Sequence, residues 1–426
     1  MPVTTSTDFE WLDNLEELRQ SEPAWVVAMR KQALEAAKDL PWPERSKTPL
    51  RGRHADLSGL KDPLLPTAIP ASVLATVQSD AYLAFGNGHL QEQALPPEAL
   101  RQGIIVSALS RAIVEHQNRI QPVFGHVIGQ PASRSDALNG ALWDDGAFIY
   151  IPDNVTLKTP ILILHYADSQ ARRLIPRSLI IMGVNSHATI IERYVSASSD
   201  ERLLFLGAVE ISAQDGASVH YGSLQNLSAH SDVFMRRQGH VYRDARIDWS
   251  IGEFGGDITI ASDHTELLNP GAHSTHTMVF FGADKQRQDF DTRITHSSPH
   301  TTSHIIAKGV MKDKARSAFN GVTDIKPGAV QSDGRQKEQT LMLSDDARAD
   351  AVPSLLINEN DVFAAHSAST GPIDKVALFY LMARGLSEKE AIRLFVHGFL
   401  APVVDAIPSD LLRNAVWDSV ERKLDQ

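Results

Sequence analysis

The spacing of apolar and polar positions divides the chain into a helical beginning, a long middle part of short strands and a helical end. Near the N-terminus, Thr7 and Glu10 have capping-box spacing, and Trp11, Leu15 and Leu18 follow at helical intervals. This pattern predicts a first helix.

A second helix is expected to begin near Ser21, with Pro23 in its first turn, and to end at Pro41. One face of it would carry Val26, Met29, Ala33, Ala37 and Leu40. Residues 44–80 look irregular. The dipeptide Asn87–Gly88 predicts a tight hairpin, and another helix is expected over 97–118.

From about residue 140 to 350, short β-rich runs alternate with turns, and a small repeat is visible. A polar residue or glycine is followed by alanine and then by a strand, and the alanines 188, 217, 245 and 272 are 29, 28 and 27 residues apart. Alanines 315, 329 and 347 follow the same pattern. A small residue before each strand suits the corner of a parallel β-solenoid, whose rungs stack about 4.8 Å apart. An antiparallel sandwich with similar turns is the alternative.

The last part returns to helical patterns. Ser387 and Glu390 form a second capping box, Gly385 suits the end of the preceding helix, and Ser409 can cap a final helix. We therefore predict a mostly β protein. A mainly helical N-terminal domain would span 1–135, a β-helix core 136–355 and a helical C-terminal domain 356–426.

The composition limits the classes of partner and chemistry. The 426 residues include 41 basic and 52 acidic side chains, and this balance of −11 does not favour nucleic acid or an anionic membrane. The chain contains no cysteine, so it cannot supply thiolate ligands. No secretory signal and no run of about 18 apolar residues is visible, which predicts a cytoplasmic protein.

Common catalytic motifs are missing from the sequence. There is no phosphate-binding P-loop, no H-E-x-x-H and no G-x-S-x-G. Gly86-Asn87-Gly88 begins like a dinucleotide-binding loop but lacks the third glycine and a following helix.

The chain has 17 histidines, and three of them are spaced by four residues: His296, His300 and His304. Pro299 opposes a helix there, and on a strand they would stand about 13 Å apart, too far to share one ion. We interpret them as polar residues of a solenoid face, although one could meet His273 or His276 of the next rung. His366 lies where the β-rich part ends, and from composition alone it is a structural residue.

Two segments carry a resemblance to a known family. Residues 289–324 include Lys308-Gly309 and Phe319-Asn320-Gly321, and residues 341–385 include Leu343-Ser344-Asp345. Further matching positions are Asp291, Thr292, His296, Pro299, Thr301, Ser303, Pro353, Asp361, Val362, His366, Gly371, Tyr380, Leu381, Arg384 and Gly385. Together they resemble the SufB/SufD family of iron–sulfur cluster assembly scaffolds, and the SufD branch more than the SufB branch.

This resemblance implies a right-handed parallel β-helix and two partners, a SufB-like scaffold and a SufC-like ABC ATPase. It implies that the C-terminal helices dock on the ATPase, with Leu378, Tyr380, Arg384 and Phe395 as contact residues. His366 would act at the junction with the SufB-like partner, where the two subunits share a nascent iron–sulfur cluster. It would be a metal ligand or a proton carrier there.

The chain departs from the family at two positions beside this histidine. Some SufD proteins have a cysteine two residues before it, where this chain has Ala364, and the family usually has glycine where this chain has Ser367. His366 would therefore act without a thiolate from its own chain. Some family complexes bind reduced flavin, but no flavin fingerprint is present here.

These expectations leave three candidate functions for the chain. The first is a non-catalytic scaffold, which the resemblance favours and which could homodimerise through exposed β-helix edges when the SufB-like partner is absent. The second is a solenoid enzyme acting on polysaccharides, for which Asp289 and Asp291 could share a face. The third is a metal-binding module built on His296 or His300 and a neighbouring rung.

Overall fold

A computed structural model describes residues 22–43, 55, 57–62, 64–77 and 79–426. The first predicted helix, with Thr7 and Glu10, lies outside the described residues. The described helices are α1 Ala24–Asp39, α2 Ala71–Leu74, α3 Pro97–Arg101, α4 Leu109–Glu115, α5 Gln117–Ile120, α6 Arg134–Leu142, α7 Lys375–Ala383, α8 Glu388–Val404 and α9 Asp410–Asp425.

β-Strands are the main regular structure of the chain. The strands are β1 Ala81–Gly86, β2 His89–Ala94, β3 Ile105–Ala108, β4 Ala147–Ile151, β5 Ile161–Ala167, β6 Arg173–Leu174, β7 Arg177–Met182, β8 His187–Ser196, β9 Leu203–Ala213, β10 Ser218–Asn226, β11 Ser231–Val241, β12 Arg246–Glu253, β13 Ile258–Leu267, β14 His273–Gly282, β15 Arg287–His296, β16 Thr302–Met311, β17 Arg316–Ile325, β18 Asp333–Met342, β19 Arg348–Ala351, β20 Ser354–Ile357 and β21 Phe363–Pro372. From β7 to β18, consecutive strands belong alternately to two sheets.

The two sheets form a parallel β-solenoid of about eight turns, as predicted. One sheet has the order β2-β1-β5-β8-β10-β12-β14-β16-β18-β21, and the other runs β19-β17-β15-β13-β11-β9-β7-β4-β3. Apart from the pairs β1–β2 and β3–β4, the pairing between these strands is parallel. The antiparallel sandwich is thereby excluded.

The alanine repeat marks the solenoid corners. At four of them the residue before the alanine has a positive φ: Gly216, Asp244, Gly271 and Gly328. The alanines that follow are buried, at positions 217, 245, 272 and 329. Only a small side chain fits where the chain turns sharply into the next strand, and this explains the period that the sequence shows.

The pairing aligns inward side chains into columns that run along the solenoid. One column consists of Ile161, Ile190, Tyr221, Trp249, His276, Ile305, Gln336 and His366. Its first members belong to the main apolar core, whereas Gln336 and His366 at the other end are polar. This column therefore ends in two polar side chains at the C-terminal end of the solenoid.

The N-terminal elements agree only partly with the sequence predictions. The hairpin is confirmed, because Asn87 and Gly88 have φ values of 46° and 71° between β1 and β2. Helix α1 is also confirmed. The continuous helix over 97–118 is wrong, because Ile105–Ala108 forms β3 and pairs with β4. Gly103, with a φ of 79°, follows the end of α3.

Helices α8 and α9 pack on the outer face of the ten-stranded sheet. Val396, Leu400, Leu412 and Val416 are buried there with Phe281 and other side chains of the sheet. Both predicted caps are present: Ser387 and Glu390 form a reciprocal capping box, and the Ser409 hydroxyl accepts from the amide of residue 412. These helices are part of the folded core.

Candidate functional site

His366 lies on β21, the last strand of the ten-stranded sheet. Its register partner on β18 is Gln336. In the column of inward positions, Ile305 and His276 lie behind Gln336. The imidazole therefore occupies the final inward position of the solenoid, at its open C-terminal end.

The open end is exposed on both sheets. Eight of the ten residues of β21 are exposed, and Phe363 keeps 69% of its side-chain surface accessible. In the other sheet, Val352, Leu356 and Ile357 are also exposed at β19, β20 and the residues between them. An exposed apolar edge with unpaired backbone groups favours association with another strand.

The strand behind His366 carries polar side chains into the solenoid interior. Gln336, Glu338 and Thr340 alternate along β18 and are 6%, 5% and 4% exposed. Gln336 donates from Nε2 to Thr323 Oγ1 at 2.7 Å and to the carbonyl of Ser354 at 3.0 Å. Burial raises the pKa of Glu338 to about 8, so its carboxyl is largely neutral at pH 7.

The histidines of the spaced cluster do not meet at one point. His296 is buried and its ring contacts Thr301 Oγ1 and Ser303 Oγ, each at 2.8 Å. His300 occupies a turn with a φ of 58°. His304 lies beside His273, with ring centroids 6.0 Å apart, so the expected contact with a neighbouring rung occurs.

Among the residues that the structure describes, no group of three or more His, Asp or Glu side chains is arranged to hold a metal. Asp289 and Asp291 share the outer face of β15, and Asp291 accepts from Asn320 at 2.6 Å and contacts His264 at 3.0 Å. These contacts give Asp291 a structural environment.

Helix α7 presents the residues that the family resemblance assigns to the ATPase. Tyr380 is 56% exposed, and Arg384 donates to its hydroxyl at 2.5 Å while lying 4.8 Å from the ring centre. Leu378 is half-buried, as is Phe395 on α8, which packs against the outer core. The most exposed apolar residues of α7 are Val376 at 76% and Phe379 at 72%, which the sequence reasoning did not select.

A buried charged cluster in the middle of the solenoid was not predicted from the sequence. Arg237 is fully buried and donates to Glu253 at 2.8 Å and to Asp263 at 2.9 Å, while His276 contacts Asp263 at 3.0 Å. Burial raises the pKa of Glu253 to about 7. For Asp263 the same burial effect is outweighed by Arg237 and His276, which lower its pKa to about 2.

Comparison with known proteins identifies the family. Residues 165–399 match the profile described as "SUF system FeS cluster assembly, SufBD core domain", and residues 74–163 match the "SufBD protein N-terminal region". The chain belongs to the SufBD family. The two SufBD profiles together cover the whole solenoid and helix α7.

The SufBD relatives align over nearly the whole chain. The iron–sulfur cluster assembly protein SufD of Bacillus subtilis is 34% identical over 432 residues, with 98% of each chain covered. SufBD family proteins of Staphylococcus saprophyticus and Staphylococcus epidermidis are 24% identical over 407 residues, covering 92% of this chain and 88% of their own. The resemblance to the SufD branch is confirmed. Within the described residues, no helix is both long and apolar enough to cross a membrane.

Proposed function

We propose that this chain is a non-catalytic scaffold subunit of a cytoplasmic complex that assembles iron–sulfur clusters, and that its open solenoid end is the junction with a SufB-like partner. The observation that carries the proposal is β21, an exposed edge strand with His366 at its last inward position. A partner strand added to β21 would complete its backbone hydrogen bonds and cover the exposed apolar residues.

The nascent cluster is the cargo of this junction. The chain has no cysteine, so the thiolates must come from the SufB-like partner. On this side His366 offers an imidazole, a side chain that can bind iron or carry a proton. Gln336 is the next inward side chain behind it.

The proposed ATPase dock is the exposed face of α7. Val376, Phe379 and Tyr380 leave large apolar areas in solvent on a helix that follows β21 directly. Because α7 continues the strand that carries His366, a movement of α7 when the ATPase closes would act on the junction. In the absence of the SufB-like partner, the same edge strand would allow two copies of this chain to pair.

Co-purification tests the proposal. The full chain is co-expressed with its SufB-like and SufC-like partners, and the mass of the complex is measured. We expect a ternary complex. Replacing Phe363 with Lys should release the SufB-like subunit only, and replacing Phe379 with Lys should release the ATPase only. A chain that binds neither partner would contradict the proposal. Point variants are preferable to deletion of 373–426, which would remove core residues such as Leu400 and Val416.

A further inference from the structure

The inner face of β18 holds side-chain oxygens that have no hydrogen-bond donor among the described residues. They are Gln336 Oε1, Glu338 Oε2 and Thr340 Oγ1. All three side chains are at least nine-tenths buried. A buried polar atom without a partner costs about 1–3 kcal/mol, so three on one strand need a physical reason.

The orientation of Gln336 is fixed by its other amide atom. Nε2 donates to Thr323 Oγ1 and to the carbonyl of Ser354, which identifies Oε1 as the unpartnered acceptor. Gln336 is also the register partner of His366. The unpartnered amide oxygen therefore belongs to the side chain that precedes the proposed junction residue in the inward column.

The side chain of Glu338 has small neighbours and forms no ion pair with any described residue. Its register neighbours are Ala307 on β16 and Ala368 on β21, both small, so the longer carboxylate side chain can reach along the inner face. Glu338 and His366 lie on neighbouring strands, two positions out of register, which puts their Cα atoms about 8 Å apart. Side chains of this length can converge across that distance.

The buried carboxylate Glu253 is an informative contrast. It also has one oxygen, Oε2, without a hydrogen-bond partner. Its other oxygen accepts from Arg237 at 2.8 Å, so a buried cation balances its charge. Glu338, by contrast, has no such cation beside it among the described residues. Its environment therefore lacks the positive charge that a buried carboxylate needs.

We propose that Glu338, Gln336 and His366 form a binding site for ferrous iron at the open end of the solenoid. The inference rests on the proposed function, since the iron is that of the nascent cluster. Carboxylate oxygen, amide oxygen and imidazole nitrogen form a mixed ligand set that suits Fe²⁺. Three protein ligands leave coordination positions for sulfide and for a thiolate of the partner. Fe²⁺ would displace the proton of the Glu338 carboxyl, which then supplies the negative charge, and Thr340 is two residues further along the same inner face.

The test is Fe²⁺ binding by the isolated full-length chain without oxygen, measured by titration calorimetry, with Mn²⁺ as a paramagnetic probe. We expect one Fe²⁺ per chain. Glu338→Gln should weaken binding at least about tenfold, because it removes the charge and keeps the shape. Glu253→Gln is the matched control and should bind like the wild type. His366→Ala, at an exposed position that tolerates truncation, should also weaken binding even if Glu338→Gln proves unstable.

Three results would overturn the site: a wild-type chain that binds no Fe²⁺, a folded Glu338→Gln variant with unchanged affinity, or equal losses in the two glutamine variants. Complex formation with the partners separates this question from the proposed function. If Glu338→Gln joins the ternary complex and binds iron normally, only the iron site fails. If the wild type binds no partner, the scaffold role fails, whatever the iron measurement shows.

Discussion

His366 lies directly opposite Gln336 across the β18–β21 pair, so its imidazole closes a column of inward side chains. Ser367 is the next residue on the same strand and points to the other face. We expect His366→Ala to abolish cluster formation by the intact complex without lowering the melting temperature. Ser367→Ala is the matched control and should retain formation. Cluster formation is followed by absorbance near 400 nm; unchanged rates in His366→Ala would contradict the assigned role.

The exposed face of α7 gives a second prediction. Phe379→Ser should weaken binding of the ATPase at least about tenfold, because Phe379 is 72% exposed and contributes apolar area without supporting the fold. Leu100→Ser, at a residue that is 59% exposed on α3, serves as the control and should leave binding unchanged. Surface plasmon resonance on both variants checks this. Equal affinities would place the ATPase elsewhere.

The buried cluster around Arg237 predicts a large loss of stability. Arg237→Met would leave Glu253 and Asp263 buried without their cation, and breaking a buried pair of this kind costs about 3–5 kcal/mol. Urea unfolding measures the change. Exchanging Arg335, which is paired with Asp333 at the surface, for Met should cost far less, because solvent screens an exposed ion pair. Similar losses in both variants would mean that the buried ion pairs of Arg237 contribute no more to stability than a surface ion pair.

Two corner glycines can distinguish two effects of adding a side chain, which are the clash of the new Cβ with its neighbours and the backbone strain at positive φ. Gly271 and Gly328 both have positive φ, so alanine is strained at either position by about 1 kcal/mol. A Cβ at Gly271 would also come within 2.0 Å of Asp244 Oδ1, whereas none of the described atoms lies within 4 Å at Gly328. We expect Gly271→Ala to be the more destabilising variant in thermal unfolding. The reverse order would show that Asp244 moves away easily.

His296 gives a prediction for pH. Burial lowers its pKa to about 4, below its ordinary value of 6.5. The unfolded chain therefore binds more protons between these values, and the stability contribution present above pH 6.5 is lost as the pH falls towards 4, by about 1.4 kcal/mol per unit. His296→Gln, which keeps hydrogen-bonding capacity towards Thr301 and Ser303, should show a flatter dependence in unfolding measured from pH 4 to 7. Parallel curves would contradict the shift.

The elements that could be predicted from the sequence depend on local interactions. The Asn87–Gly88 turn and the Ser387–Glu390 capping box need only neighbouring residues, and both are present. The solenoid was predictable because every rung meets the same steric limit at its corner. The strand β3 was missed because β4, about 40 residues later, determines its conformation by pairing with it.

The site was predictable only in part. His366 came from the family resemblance, and neither composition nor spacing distinguished it from other histidines. Glu338 gave no signal, because its importance depends on which face of β18 it occupies and on the register with β21. From the sequence, Arg237 likewise cannot be distinguished from a surface charge. Only the pairing of β11 with β13 shows that Asp263 lies beside it.

The position of β21 has a consequence for the timing of assembly. In a solenoid each rung is stabilised mainly by its neighbours, so a terminal rung with one neighbour frays most readily. β21 touches β18 on one side and is exposed over eight of its ten residues. Amide exchange should therefore be fastest in this strand and slow sharply when a partner strand is added. His366 lies on this fraying strand and Glu338 on its firmer neighbour, so adding a partner strand would strengthen iron binding beyond the level reached by the lone subunit.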